Sequence, residues 1–164
     1  MPSWYDIESL SKSRGAQACS GIDGSASTLH SLIEGEVNKG IPASRIILAG
    51  FSQGGAMSLW TGLQLPSRFA HKLAGVVVMS GYLPKEHAFA LSEHGRSTPV
   101  LHCHGTADPL VLPQFAEASK ATIVEKGHTG GYNLKMYQGL PHSASMQELN
   151  DIVKWISEVL PNNV

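Results

Sequence analysis

Two cysteines in 164 residues, Cys19 and Cys103, are too few for the disulfide framework of a small secreted domain. A reducing compartment is expected instead. Charge is scarce as well: Asp, Glu, Lys and Arg make up 15% of the chain and the formal net charge is −1. No long run of one sign occurs, which argues against a binder that works by attraction to nucleic acid or to an anionic membrane. A chain this poor in charge and 42% apolar is not of the disordered class. No stretch approaches the ~18 apolar residues of a membrane helix. The longest, LAGVVVM from Leu73 to Met79, has the length of a buried strand. The opening MPSWYDIESLSKSRG holds no apolar signal core. Repeats and low-complexity linkers are missing too. What remains is the size and composition of one domain over residues 1–164.

Periodicity then divides the chain. Residues 1–19 read as loop. Ser20 to Lys39 reads as a helix, with Ile22, Ala26, Leu29, Leu32, Ile33 and Val37 on one face, Ser20 and Asp23 as a capping pair, and Gly40 and Pro42 beyond its end. RIILAG (Arg45 to Gly50) is a strand, and a helix follows from Gln53 to about Leu63, stopped before Pro66. AGVVVMSG and PVLHCHG are further strands, separated by an irregular or briefly helical stretch from Tyr82 to Ser97. Pro113 opens a helix through Lys126, YNLKMYQG is a fourth strand, and Ser143 to Leu160 closes the chain as a helix. Its expected inward residues are Met146, Leu149, Ile152, Val153, Ile156, Val159 and Leu160. Strands that are continuously apolar and alternate with helices predict an α/β fold: a mostly parallel sheet with helices on both faces.

In open α/β sheets, functional groups gather at the carboxyl ends of strands. Three candidates fall there. Ser52 follows the first strand inside Gly50-Phe51-Ser52-Gln53-Gly54, Asp108 follows the third, and His142 follows the fourth. A strand turning sharply into a helix brings backbone segments together, so side chains at positions 50 and 54 are expected to clash. Such a turn lifts the serine hydroxyl above the sheet and points the Gln53 N–H at the reaction centre as an oxyanion donor. A serine hydroxyl needs a base in hydrogen-bond reach, and the base needs an orienting carboxylate. The chain order Ser52, Asp108, His142 is that of an α/β-hydrolase rather than of chymotrypsin or subtilisin.

Taken singly, each has a plain structural reading. Ser52 is a possible helix N-cap, Asp108-Pro109 a turn starter, and His142 a cap for the last helix. With 17 glycines present, the glycine–serine motif alone says little; the conjunction of three residues after three strands favours catalysis. His102 and His104 alternate on one strand face, but no third ligand with suitable spacing is evident, so no metal is expected. His104-Gly105 precedes the Asp108 loop and is wrongly placed for an oxyanion loop. Cys103 lies in an apolar run and is expected to be buried, whereas Cys19 sits in a polar stretch. His30, His71, His87, His94 and His128 read as surface or helix-face residues, and Trp60 and Trp155 as core. Trp4, an aromatic in a loop, is a candidate pocket wall.

These blocks resemble the acyl-protein thioesterases of the phospholipase/carboxylesterase family over nearly the whole chain. The resemblance is carried by PSWYDI (Pro2 to Ile7), GIPASRIILAGFSQGGAMSL (Gly40 to Leu59), LAGVVVMSGYLP (Leu73 to Pro84), LHCHGTADPLV (Leu101 to Val111) and YQGLPHSASMQE (Tyr137 to Glu148). It implies an α/β-hydrolase fold with Ser52 as nucleophile, Asp108 as acid and His142 as base. It also implies a cytoplasmic enzyme without metal or cofactor. The implied substrates are S-acylated proteins, lysophospholipids and simple acyl esters, with no nucleic-acid partner and no stable membrane insertion. Tyr82, Leu83 and Leu110 are implied as borders of the acyl channel. One departure is large. Family members carry a region ahead of the block matching PSWYD that supplies the first strands and a second oxyanion donor, and Met1 stands where that region joins. The expectation is therefore an N-terminally incomplete domain whose nucleophile strand has an open edge. The favoured explanation is an incomplete gene model or a fragment of an active thioesterase. The alternative is a short form, weak or inactive, that only binds acyl groups.

Overall fold

A computed structural model of the chain describes residues 3–9 and 14–161. Its elements alternate from residue 47 onward: α1 (Ile22–Asn38), β1 (Ile47–Phe51), α2 (Gln53–Leu63), β2 (Gly75–Met79), α3 (Glu93–Ser97), β3 (Val100–Gly105), α4 (Pro113–Glu125), β4 (Tyr132–Tyr137) and α5 (Met146–Val159). The four strands form one all-parallel sheet in the order β1-β2-β3-β4. Each strand thus lies beside its successor, and every crossover from one to the next contains a helix.

Strand side chains alternate between two faces, and both faces of β2 and β3 are buried. On one face Val76, Val78 and Val100 pack with Ile22, Ala26, Leu59, Leu63 and Ile123, which come from α1, α2 and α4. On the other, Val77, Leu101 and Cys103 pack with Ile152 of α5, with Trp155 and Ile156 against them. Burial on both faces is why these strands read as unbroken apolar runs. Among the described residues β1 pairs only with β2, so its outer edge is open.

Several expectations are corrected. Ser20 and Asp23 form no cap: Gly21 occupies the N-cap in a left-handed conformation without a side-chain hydrogen bond. Asp23 instead pairs with Lys85 at 3.0 Å. Leu32 is exposed, because the buried stripe of α1 runs through Ile22, Ala26 and Ile33. Leu32 lies about 100° around the helix from Ile33. The larger correction concerns α5. Met146, Leu149 and Val153 were expected inward and are 71%, 40% and 62% exposed. The face on the sheet runs through Glu148, Ile152, Trp155 and Ile156. The Trp155 ring fixes that rotation: it fills the space over Gly75 that a Cβ would occupy. His128 is buried rather than superficial, with Nε2 donating to the Thr98 carbonyl at 2.8 Å. Cys19, despite its polar neighbours in sequence, is buried with the α1 core.

Candidate active site

β1 ends at Phe51 and α2 begins at Gln53, so Ser52 alone makes the turn. Its backbone takes φ 55° and ψ −119°, a conformation that a non-glycine residue adopts at a cost of roughly 1–3 kcal/mol. Glycine is required at two places around it. A Cβ on Gly50 would overlap the Gly54 carbonyl, and one on Gly55 would press on the Gly50 carbonyl at 2.9 Å. Gly54, expected to be sterically obligatory, is not: a Cβ there meets only Trp4 Nε1 at 3.9 Å.

The structure brings the three separated side chains together. His142 Nε2 lies 3.0 Å from Ser52 Oγ, and His142 Nδ1 lies 2.7 Å from Asp108 Oδ2. A carboxylate only accepts, so His142 donates its Nδ1–H to Asp108, which leaves Nε2 facing the Ser52 hydroxyl. The Phe51 ring packs on the imidazole at 4.8 Å between centroids. Asp108 is buried at the end of β3. Burial raises its carboxyl pKa, but hydrogen bonds from His142, Val111 and Leu110 outweigh that and hold it below the ordinary value. Oδ1 accepts from the Leu110 and Val111 N–H groups at 2.9 Å each. A depressed carboxyl contributes stability above its ordinary titration range and loses it as pH falls through the folded value.

Gln53 has two parts to play. Its N–H belongs to the first turn of α2, where backbone donors lack intrahelical partners. Its side-chain amide accepts from Trp4 N–H at 3.1 Å and donates to the Tyr5 carbonyl at 2.7 Å, pinning the 3–9 segment beside Ser52. Among the described residues, two clefts reach the serine. The larger, about 590 Å³, is walled by Trp4, Phe51, Gln53 and Gly54. The smaller, about 140 Å³, is walled by Ile7, Tyr82, Leu110, Val111 and His142. Trp4, Tyr82 and Leu110 therefore stand at the clefts. Leu83 does not: it is 1% exposed in the core beneath, so the channel reading fails for it. Residue spacing pointed to neither Phe51, Ile7 nor the Gln53 side chain. The one available signal was an aromatic immediately before the serine.

His102 and His104 are both buried, and among the described residues no group of three or more His, Cys, Asp and Glu side chains is placed to hold a metal ion. His102 Nδ1 lies 2.8 Å from the Tyr132 hydroxyl, and burial pushes its pKa down to about 3. Burial pushes the Cys103 thiol up to about 11, which leaves it unreactive.

The sequence profile of the phospholipase/carboxylesterase family matches residues 1–160. The chain belongs to the phospholipase/carboxylesterase family. It is 39% identical over 161 residues to acyl-protein thioesterase 1 of Yarrowia lipolytica, covering 96% of this chain and 69% of that protein. It is also 39% identical over 176 residues to acyl-protein thioesterase 1 of Cryptococcus neoformans var. neoformans, covering 98% and 72%. Among solved structures, Arabidopsis thaliana SOBER1 superimposes with a TM-score of 0.85 at 32% identity, covering 96% of this chain and 74% of the other. Zea mays acyl-protein thioesterase 2 gives 0.78 at 26%, covering 96% and 72%. The family's α/β-hydrolase fold accounts for the parallel sheet and for the sharp strand–serine–helix turn. No helix among the described residues is long and apolar enough to cross a membrane.

Proposed function

We propose that this chain is a serine hydrolase of acyl thioesters and esters, acting on S-acylated proteins and also on lysophospholipids and simple acyl esters. Ser52 attacks the carbonyl carbon while His142 takes the hydroxyl proton. The Gln53 N–H stabilises the oxyanion. The leaving thiolate or alkoxide departs with a proton from His142, which then activates water to release the acid. Asp108 holds His142 in the tautomer this needs. Apolar walls at Ile7, Tyr82 and Leu110 suit the acyl chain. Trp4 walls the larger cleft, which suits the group being released. The reading needs no metal or cofactor, and a single domain working in the cytoplasm fits it.

One observation supports it above the rest: the hydrogen-bond chain Asp108–His142–Ser52, 2.7 and 3.0 Å, built from residues up to 90 apart in sequence. A fluorophosphonate probe tests it directly. The wild-type chain is expected to label and Ser52→Ala is not; persistent labelling of that variant reassigns the nucleophile. Turnover of palmitoyl-CoA against a lysophospholipid then ranks thioester against oxygen-ester preference. A chain that binds acyl groups without labelling supports the non-catalytic alternative.

A further inference from the structure

His104 is a histidine that the proposed chemistry does not use. It is fully buried on β3, on the same face as Val100 and His102, one residue before the loop that carries Asp108. Its Nε2 lies 2.8 Å from the Val111 carbonyl and 3.5 Å from Asp108 Oδ2. Both neighbours are acceptors, so Nε2 carries the proton and donates. Nδ1 is left bare and has no hydrogen-bond partner among the described residues. A buried ring with one nitrogen unsatisfied carries a cost, and its placement calls for an explanation.

The geometry closes a triangle. Asp108 Oδ1 accepts from Val111 N–H. The Val111 carbonyl accepts from His104, and the same His104 N–H leans toward Asp108 Oδ2. The front of the loop is anchored separately: Thr106 N–H donates to the Tyr137 carbonyl, Ala107 N–H to the Leu140 carbonyl, and Gly139 N–H to Thr106 Oγ. His104 ties the back of the loop to the strand. That tie adds a hydrogen bond from the strand to the turn's other supports, the Asp108–His142 bond and the packing of Val111 in the core. Burial lowers the His104 pKa, so the ring is neutral. Neutrality matters, because a cation here would compete with His142 for the one carboxylate.

We infer that His104 is a positioning residue: its Nε2–H holds the Val111 carbonyl so that Asp108 Oδ2 meets His142 Nδ1. This rests on the Ser52–His142–Asp108 reading above. A displaced catalytic group costs about 10- to 100-fold in rate. The test uses the whole chain and a short p-nitrophenyl ester, with kcat and KM measured separately. The far-downfield imidazole N–H resonance reports the His142–Asp108 bond. His104→Phe keeps the ring without the donor; His104→Gln places an amide N–H where Nε2 lies; His104→Asn places it nearer Nδ1. The expected order is a kcat near wild type for Gln and about 10- to 100-fold lower for Asn and Phe, with KM little changed. The downfield resonance is expected in Gln and absent in Asn and Phe. Should Phe fail to fold, the Gln–Asn pair decides. Equal kcat and an unchanged resonance in Gln and Asn overturn the inference. Turnover surviving in Ser52→Ala would overturn the assignment of Ser52 as nucleophile instead, whatever the His104 variants do.

Discussion

At the scale of single residues, the turn at Ser52 separates two glycines that look equivalent in the motif. Gly50 faces main-chain atoms of Gly54, which cannot swing aside; Gly54 faces only the far edge of Trp4. Gly50→Ala is therefore expected to lose about 1–3 kcal/mol or more through overpacking. Gly54→Ala is expected to keep its melting temperature, since alanine in a helix is favoured over glycine by about 0.5–1 kcal/mol. Thermal melts of the two variants check this, and equal losses would show that the crowding is misassigned. The residues that move protons were legible in the sequence because chemistry restricts them to a few types and the fold restricts them to strand ends. Leu83 was not legible as core: it sits in the loop after β2, three residues past Ser80, and only the packing decides whether a leucine there lines a cleft or fills the interior. His104 was visible and passed over, because its partner is a carbonyl, which no motif marks.

At the scale of elements, the strands and helices followed the hydrophobic pattern closely, since β2 and β3 are buried on both faces and cannot read otherwise. The rotation of α5 did not follow. Its apolar arc is wider than the part the sheet covers, and Trp155 over Gly75 selects which part that is. The same rotation buries Glu148 in the first turn. There it completes a capping box: Ser145 Oγ accepts from Glu148 N–H at 3.1 Å, and Glu148 Oε2 accepts from Ser145 N–H at 3.3 Å. Burial raises the Glu148 carboxyl above its ordinary value, with the Ser145 hydrogen bond opposing. The sign follows directly. A raised carboxyl favours the native state while protonated, and that contribution is lost as pH climbs from the ordinary value through the folded one. Glutamine keeps the acceptor for the cap and removes the charge. Glu148→Gln is thus expected to melt above wild type at pH 7–8 and to lose that advantage near pH 4. A gain that is the same at both pH values would exclude a buried carboxylate as its source.

At the scale of the whole molecule, two apolar surfaces stay uncovered among the described residues, the outer side of β1 and a flank of α5. Phe51 pairs in register with Met79, and Met79 with Cys103, so Phe51 points to the same side of the sheet as α5. Ala49 and Phe51 are exposed on β1, and Met146, Leu149 and Val153 on α5. Proteins blunt free strand edges with charge, proline or a bulge. Ile47–Phe51 carries no charged residue or proline, and it pairs with β2 in unbroken register. Backbone donors and acceptors without strand partners among the described residues, beside the exposed side chains of Ala49 and Phe51, form an edge on which a second copy can add its own strand. Self-association is the expected outcome, rising with protein concentration. Ala49→Lys with Val153→Lys places a charge on the edge strand and another on the helix flank, and neither residue lines the two clefts at Ser52. Light scattering across a dilution series should show the double variant staying monomeric at concentrations where the wild type assembles. Superimposable scattering curves would mean that association, if any, uses another surface. Fluorophosphonate labelling unchanged in the double variant would separate the assembly edge from the chemistry at the strand ends.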